Sequence, residues 1–372
     1  MIKIMTVFGT RPEAIKMAPL IKKLEESREI KSIVCVTAQH RQMLDQVLEL
    51  FNINPDYDLN IMKDRQSITG ITTNVLKGIE EVILKENPDM ILVHGDTTTT
   101  FAGSLAAFYQ KVPVGHVEAG LRSGDKYSPY PEEINRSLTG RIASIHFAPT
   151  ISNKNNLLEE NIAEKDITIT GNTVIDALMM AIDKDYKFSE EKLNNIDFDN
   201  KKVILLTSHR RENLGQPMIN IFNSVKRIIE ENKDVEIVFP VHLNPKVREL
   251  VKSVLGEVER VHLIEPLDYK PFVNLMSKCD IIMSDSGGIQ EEAPSLGKPV
   301  IVLRKETERP EAVEAGTVKI VGIEENDVYE AVNTLIKDKN EYDKMANAIN
   351  PYGDGKASDR IVKGILEYFN KP

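Results

Sequence analysis

The feature that most constrains this chain is a rhythm in which short β-branched apolar runs alternate with longer amphipathic stretches. In the first half the apolar runs fall at 2–8, 32–37, 90–94, 112–117, 145–148 and 167–170, with helical patterns at 13–26, 41–51, 68–86 and 99–110 between them. The rhythm restarts at 202–207 and continues through 235–240, 261–264, 281–284, 300–303 and 318–321. Short strands separated by helix-length links predict parallel sheets with crossover helices. The expected fold class is therefore α/β, with two Rossmann-like, doubly wound domains facing a central cleft. The polar stretch 184–201 reads as a surface connection, and the domain change is expected just before it, near Gly171 and Asn172. That gives domains 1–171 and 172–354, with a last amphipathic segment, 355–372, after the turn-forming cluster 350–355. Ligands of such sheets bind beyond the carboxyl ends of the strands, so chemistry is sought just after each strand.

Composition narrows the partners. The 372 residues carry a formal net charge of −10. That balance argues against nucleic acid or an anionic membrane surface as partner. An anionic ligand would have to be held by a local cluster of basic groups. No apolar run approaches the roughly 18 residues of a membrane span, and residues 1–8 are interrupted too soon by Arg11 to be a signal peptide; a soluble, cytoplasmic protein is expected. Cys35 and Cys279 each sit inside an apolar run and are expected to be buried, reduced thiols. No G-x-G-x-x-G follows a strand, which argues against NAD-dependent oxidation. The pair His209 and Glu212 has helical metal spacing, but no second histidine lies near and adjoining arginines would repel a cation. No metal and no other cofactor is expected.

Several strand ends carry residues with chemical potential. After the first strand, Gly9 permits a tight turn, Pro12 suits a first helical turn, and Arg11 and Lys16 can reach a phosphate there, unless they are simply solvated. Asp96, before four threonines, is either a helix cap or a carboxylate at a cleft mouth. Glu118 ends the next apolar strand, where a charge needs a partner or a function. Two carboxylates on adjacent strand ends would perturb each other's pKa, which suits acid/base work. Glu132, Glu133 and Arg136 fall in the first turns of a Pro131-opened helix, where acidic groups are favourable even without a function. In the second half His209, Arg210 and Arg211 make a potential anion site, and His242 follows the next strand. Ser286, Gly287 and Gly288 run from a strand straight into a helix. Backbone N–H groups can approach an anion closely there, and Glu292, one turn on, is placed to accept from ribose hydroxyls.

Taken together, these stretches resemble the non-hydrolysing UDP-N-acetylglucosamine 2-epimerases. The matching segments are TVFGTRPEAIKMAPL at 6–20, VTAQHRQMLDQVL at 36–48, VHGDTTTT at 93–100, VGHVEAGLRSGD at 114–125, YSPYPEEINR at 127–136 and GNTVIDAL at 171–178. SHRREN at 208–213, PVHLNP at 240–245, SDSGGIQEEAPSLGKPV at 284–300, ERPEA at 308–312 and NPYGDG at 350–355 complete the set. Ser208 departs from the family pattern, where glycine is frequent. The resemblance implies a glycosyltransferase B-type fold whose last helix returns to the N-terminal domain. It implies Asp96, Glu118 and Glu132 as catalytic carboxylates with Arg136 and His209 close by. UDP would be held by Arg11, Lys16, His209, Ser286, Gly287, Gly288 and Glu292, with uracil near Phe272. It further implies a second, activating UDP-N-acetylglucosamine at Gln39, Gln42, Arg65, Glu132, Arg210 and His242, and a homodimer.

The implied chemistry inverts C2, whose C–H bond no carbonyl acidifies. Loss of UDP solves this through a 2-acetamidoglucal, and re-addition gives UDP-N-acetylmannosamine. A glycosyltransferase would instead need an acceptor, a hydrolysing epimerase would release free N-acetylmannosamine, and a nucleotide-sugar sensor would bind without turnover.

Overall fold

The computed structural model describes residues 1–38, 41–61 and 66–370, without the side chains of Arg41 and Gln42. Ile2–Phe8 (β1) pairs in parallel with Ile30–Val36 (β2) on one side. Its other neighbour is Met90–His94 (β4), and Tyr57–Asp58 (β3) flanks β2. Val114–Val117 (β5), Ile145–Ala148 (β6) and Ile167–Ile169 (β7) extend the sheet beyond β4, so the strand order is β3-β2-β1-β4-β5-β6-β7. The second sheet contains Lys202–Thr207 (β8), Val235–Pro240 (β9), Val261–Ile264 (β10), Ile281–Ser284 (β11), Val300–Val302 (β12) and Val318–Ile320 (β13). Its order, β10-β9-β8-β11-β12-β13, repeats that of the first when each is counted from its own first strand. Every pairing in both sheets is parallel. Each sheet therefore reverses its winding at one place, between β1 and β4 or between β8 and β11. These switch points are where doubly wound sheets bind ligands.

The chain divides into two compact units, Met1–Met180 with Tyr352–Pro372, and Ala181–Pro351. The first break thus falls nine residues beyond the expected 171/172 boundary, because the helix Thr173–Ala181 belongs almost entirely to the first unit. Its Asp176 accepts the backbone N–H groups of Ala357 (3.1 Å) and Ser358 (2.7 Å), capping the final helix Ala357–Phe369. The chain returns through Gly171 and Gly353. A Cβ on Gly171 would meet Gly353 Cα at 3.2 Å, and its φ of +85° suits glycine. Here the second unit ends at Pro351, three residues before the expected limit.

Burial explains why the strands were legible. All five residues of β4 are buried, as a strand covered on both faces requires. The first unit's core joins Met5, Val7, Ile33, Cys35, Ile91 and Val93 with helix residues such as Val75, Ile79 and Ala102. The second packs Ile204, Leu206, Phe239 and Met283 against Met218, Phe222 and Val225. Both cysteines are free and buried, and burial lifts their thiol pKa values, Cys35 to about 12. Among the described residues no helix is long and apolar enough to cross a membrane.

Candidate active site

At the first switch point the turn after β1 is shaped by two demands. Gly9 has no room for a side chain: a Cβ would stand 2.0 Å from Thr37 Oγ1. Glu13, buried in the first turn of the helix Arg11–Glu26, reaches back to the N–H groups of Gly9 (3.0 Å) and Thr10 (2.8 Å) and to the Thr10 hydroxyl (2.8 Å). Its other oxygen accepts from the hydroxyls of Thr97 (2.7 Å), which caps the helix Thr98–Tyr109 after β4, and of Thr100 (3.2 Å) in that helix's first turn. Burial raises the Glu13 pKa, and these donors pull against it. One carboxylate thus ties the turn that carries Arg11 to the turn that carries Asp96. Glu13 has no role assigned from sequence, although Thr10-x-x-Glu13 is a capping-box pattern that signals it.

Around this frame the first unit gathers three carboxylates. Asp96 follows Gly95, whose φ is +65° and whose carbonyl accepts from Nε2–H of the buried His116 at 2.7 Å. A carbonyl only accepts, so the His116 tautomer is fixed; burial drives its pKa down to about 3. Arg136 Nη2 lies 3.1 Å from Asp96 Oδ2, and Asn135 donates to the Asp96 carbonyl at 3.0 Å. Burial pushes the Asp96 carboxyl up to about 6; Arg136 and Lys16 oppose the rise, while Glu118 and Glu132 add to it. Asp96 is therefore in electrostatic reach of both Glu118 and Glu132.

Glu118 sits at φ +60°, a left-handed conformation that costs a non-glycine residue about 1–3 kcal/mol and clusters at functional sites. Its side chain is ion-paired with Lys16, accepts from Asn172 Nδ2 at 2.9 Å and lies 3.9 Å from His94 Nε2. Burial holds His94 neutral, with its pKa lowered to about 4. Lys16, expected near a phosphate, thus pairs with a carboxylate here. Glu132 opens the helix Glu132–Ile142, and its buried Oε2 has no hydrogen-bond partner among the described residues. Its neighbour Glu133 serves the backbone instead, accepting the N–H groups of Ser123 and Gly124 at 3.0–3.1 Å.

At the second switch point the arrangement is repeated with the parts exchanged. Asp285, fully buried beyond β11, accepts at Oδ2 from the Ser208 hydroxyl (3.1 Å), the N–H groups of His209 (2.8 Å) and Arg210 (3.0 Å), and Asn213 Nδ2 (3.1 Å). His209 Nδ1 lies 3.0 Å from Asp285 Oδ1. Burial alone would raise the Asp285 pKa, but the His209 and Arg210 donors hold it below the usual carboxylate range. His209 stacks on His242 with ring centres 5.6 Å apart and 21° between planes. His242 Nδ1 accepts from the Asn244 N–H at 3.1 Å. Arg210 Nη2 lies 3.7 Å from Glu308. The structure thus brings together His209, Arg210 and His242 beside Ser286.

Beyond Ser286, a Cβ on Gly288 would meet nothing within 4 Å and one on Gly287 only Glu308 Oε2 at 3.7 Å, and neither glycine has positive φ. Packing does not demand glycine at either place, which leaves the backbone open to close approach. Glu292 is buried and accepts from the Tyr269 hydroxyl at 2.9 Å. Phe272 is half-buried on the same helix as Tyr269, Tyr269–Lys278. Of the residues expected to hold an activator, Gln39 and Arg65 lie outside the described residues, as does the Gln42 side chain.

The family model described as UDP-N-acetylglucosamine 2-epimerase matches residues 22–366. The chain belongs to this family. It is 58% identical over 368 residues to the UDP-N-acetylglucosamine 2-epimerase of Bacillus subtilis, covering 99% of this chain and 96% of that one. With the enzyme of the same name from Escherichia coli K12 it shares 56% identity over 371 residues, 98% of both chains. The crystal structure of UDP-GlcNAc 2-epimerase from Neisseria meningitidis bound to UDP-GlcNAc is 57% identical, covers 98% of this chain with 100% of its own, and superposes with a TM-score of 0.85. As a member of the 2-epimerase family the chain is an isomerase built from two Rossmann-like α/β domains of the glycosyltransferase B type.

Proposed function

We propose that this 2-epimerase is of the non-hydrolysing type and interconverts UDP-N-acetylglucosamine and UDP-N-acetylmannosamine by elimination and re-addition of UDP. The observation that carries this reading is the gathering of Asp96, Glu118 and Glu132 around Arg136 and Lys16 at a switch point of the first sheet. The C1–O bond breaks with its electron pair leaving on the diphosphate, and a carboxylate takes the C2 proton. The product is 2-acetamidoglucal plus UDP. A second group returns a proton to C2 from the opposite face, and the diphosphate oxygen re-forms the bond to C1. Inversion needs an acid and a base on opposite faces, which is a reason for more than one carboxylate.

In this reading Asp96, Glu118 and Glu132 serve proton transfer with Arg136 paired to Asp96 and His209 close by, and Arg11, Lys16, His209 and the Ser286–Gly288 turn hold UDP. Each well-placed donor to the departing diphosphate contributes about 2.7–4 kcal/mol to the transition state. Glu292 would take the ribose and Phe272 the uracil. The matching positions Gln39, Gln42, Arg65, Glu132, Arg210 and His242 support a second UDP-N-acetylglucosamine acting as activator, and we assign a cytoplasmic homodimer. Incubation with UDP-N-acetylglucosamine alone, followed by proton NMR, tests the assignment. UDP-N-acetylmannosamine should accumulate to equilibrium, from either side. Free N-acetylmannosamine with stoichiometric UDP would mean a hydrolysing enzyme, and no conversion without an acceptor would favour a glycosyltransferase.

A further inference from the structure

We propose that Asn172 is a positioning residue for proton transfer: its side-chain amide holds the Glu118 carboxylate by Oε2 and keeps Oε1 turned toward the residues that lead into Asp96. This rests on the reading of Glu118 as a proton-transfer group. The amide has one orientation, because Asn172 Oδ1 accepts the backbone N–H of Val174 at 3.0 Å, in the first turn of the helix Thr173–Ala181. A backbone N–H only donates, so the NH2 end faces Glu118, and Nδ2 donates to Oε2 at 2.9 Å. The main chain of Asn172 is fixed as well. Its N–H donates to the Tyr352 carbonyl at 2.7 Å, where the chain returns beside Gly171, and its carbonyl accepts from the Ile175 N–H at 3.1 Å. Asn172 is buried. Other groups at Oε2 do not set its direction. Lys16 is ion-paired with the same oxygen, but an ammonium on a flexible stem is a point charge that follows many carboxylate orientations. His94 Nε2, 3.9 Å away, is beyond hydrogen-bond reach. Lys16 is also a diphosphate ligand in the proposed reaction. When it serves that group, Asn172 is the hold on Oε2 that stays, since its amide is tied into the helix start. The second oxygen faces elsewhere: a Cβ on Gly95, the residue before Asp96, would stand 3.4 Å from Glu118 Oε1. The Glu118 backbone, at φ +60°, keeps its conformation only through surrounding contacts, so a fixed donor at the far end of the side chain decides where the carboxylate points.

The test compares Asn172→Ser with Asn172→Asp. Serine and aspartate are good helix caps, so each variant keeps an acceptor for Val174 while removing the amide donor to Glu118. Asn172→Ser should lower kcat by about tenfold while the Kd for UDP in calorimetry stays within about twofold of wild type. Asn172→Asp should be slower still, because it sets a second anion against Glu118. A residue that only caps the helix would leave kcat near wild type in both variants, and that result overturns the proposal. If Asn172→Asp does not fold, as thermal melts would show, Asn172→Ser decides alone. Added to Glu118→Gln, Asn172→Ser should lower kcat by less than about twofold, since the group it positions is gone. Full additivity overturns the proposal, because Asn172 would then act independently of Glu118. NMR reads the contact itself without turnover. In 15N-labelled wild type the Asn172 side-chain NH2 signals, assigned by their loss in Asn172→Ser, should move on Glu118→Gln; signals that stay in place overturn the contact. Wild type that binds UDP without epimerising removes the functional reading and this role together. An epimerising wild type whose Asn172→Ser variant keeps its kcat removes this role alone.

Discussion

Asp96 shows at the scale of one residue what this fold does to a carboxyl at a strand end. Its carboxyl, pushed up to about 6 by burial, stands beside one cation and within reach of two more carboxylates. The protonated form is favoured by folding, so its contribution to stability is full below the unfolded pKa and is lost as pH rises through about 6. Asp96→Asn should therefore gain stability relative to wild type across that window, by about 1–3 kcal/mol. Thermal melts of both proteins between pH 4 and 8 check this; a constant difference would contradict it. The same substitution, like Glu118→Gln and Glu132→Gln, should reduce turnover by about 10²–10⁴-fold while UDP still binds in calorimetry. Wild-type rates in all three would remove the assignment. These carboxylates were legible because a charge at the end of an apolar strand stands out. The same signal at Asp285, directly after Ile281–Ser284, marks a buried acceptor instead. Sequence gives the position of such a charge, and only the partners distinguish the two cases.

Among the elements, the turn after β1 depends on a single atom's absence. Gly9→Ala drives a Cβ into Thr37 Oγ1, and overpacking of this kind costs about 1–3 kcal/mol. Glu13→Gln should cost a similar amount, because an amide cannot accept from both turns at once. Both variants should lower kcat/KM more than they lower UDP affinity, since they loosen the turns that carry Arg11 and Asp96. Steady-state kinetics with calorimetry separates the two effects; an unchanged kcat/KM in Glu13→Gln would contradict the bridging role. The strands were readable because burial on both faces leaves a continuous apolar run. The exception is β3, two residues long and half polar, which carries no pattern and exists through its pairing with Cys35 and Val36. The fixed tautomer of His116 comes from a long-range contact with the Gly95 carbonyl that has no local trace in the chain.

The whole molecule repeats one design: two parallel sheets wound in the same order, the first with one further edge strand, each with its candidate site residues at the point where the winding reverses. The final helix joins the first unit through Asp176, and Ile361 and Ile365 are fully buried. Asp176→Ala should cost about 1 kcal/mol and speed hydrogen exchange along Ala357–Phe369, with strands β8 to β13 unaffected; equal exchange in that helix would contradict the cap. The expected boundary at 171/172 fell short because the breaker at Gly171 marks a return of the chain, and the following helix stays with the first unit. The central claim concerns the reaction: the C2–H bond is broken while UDP is detached, and the proton that returns comes from solvent-exchanged groups. The direct measurement is a conversion run in D2O from protonated UDP-N-acetylglucosamine, with C2 of the UDP-N-acetylmannosamine read by NMR. The account predicts deuterium at C2 of the product; product retaining only hydrogen there would contradict it.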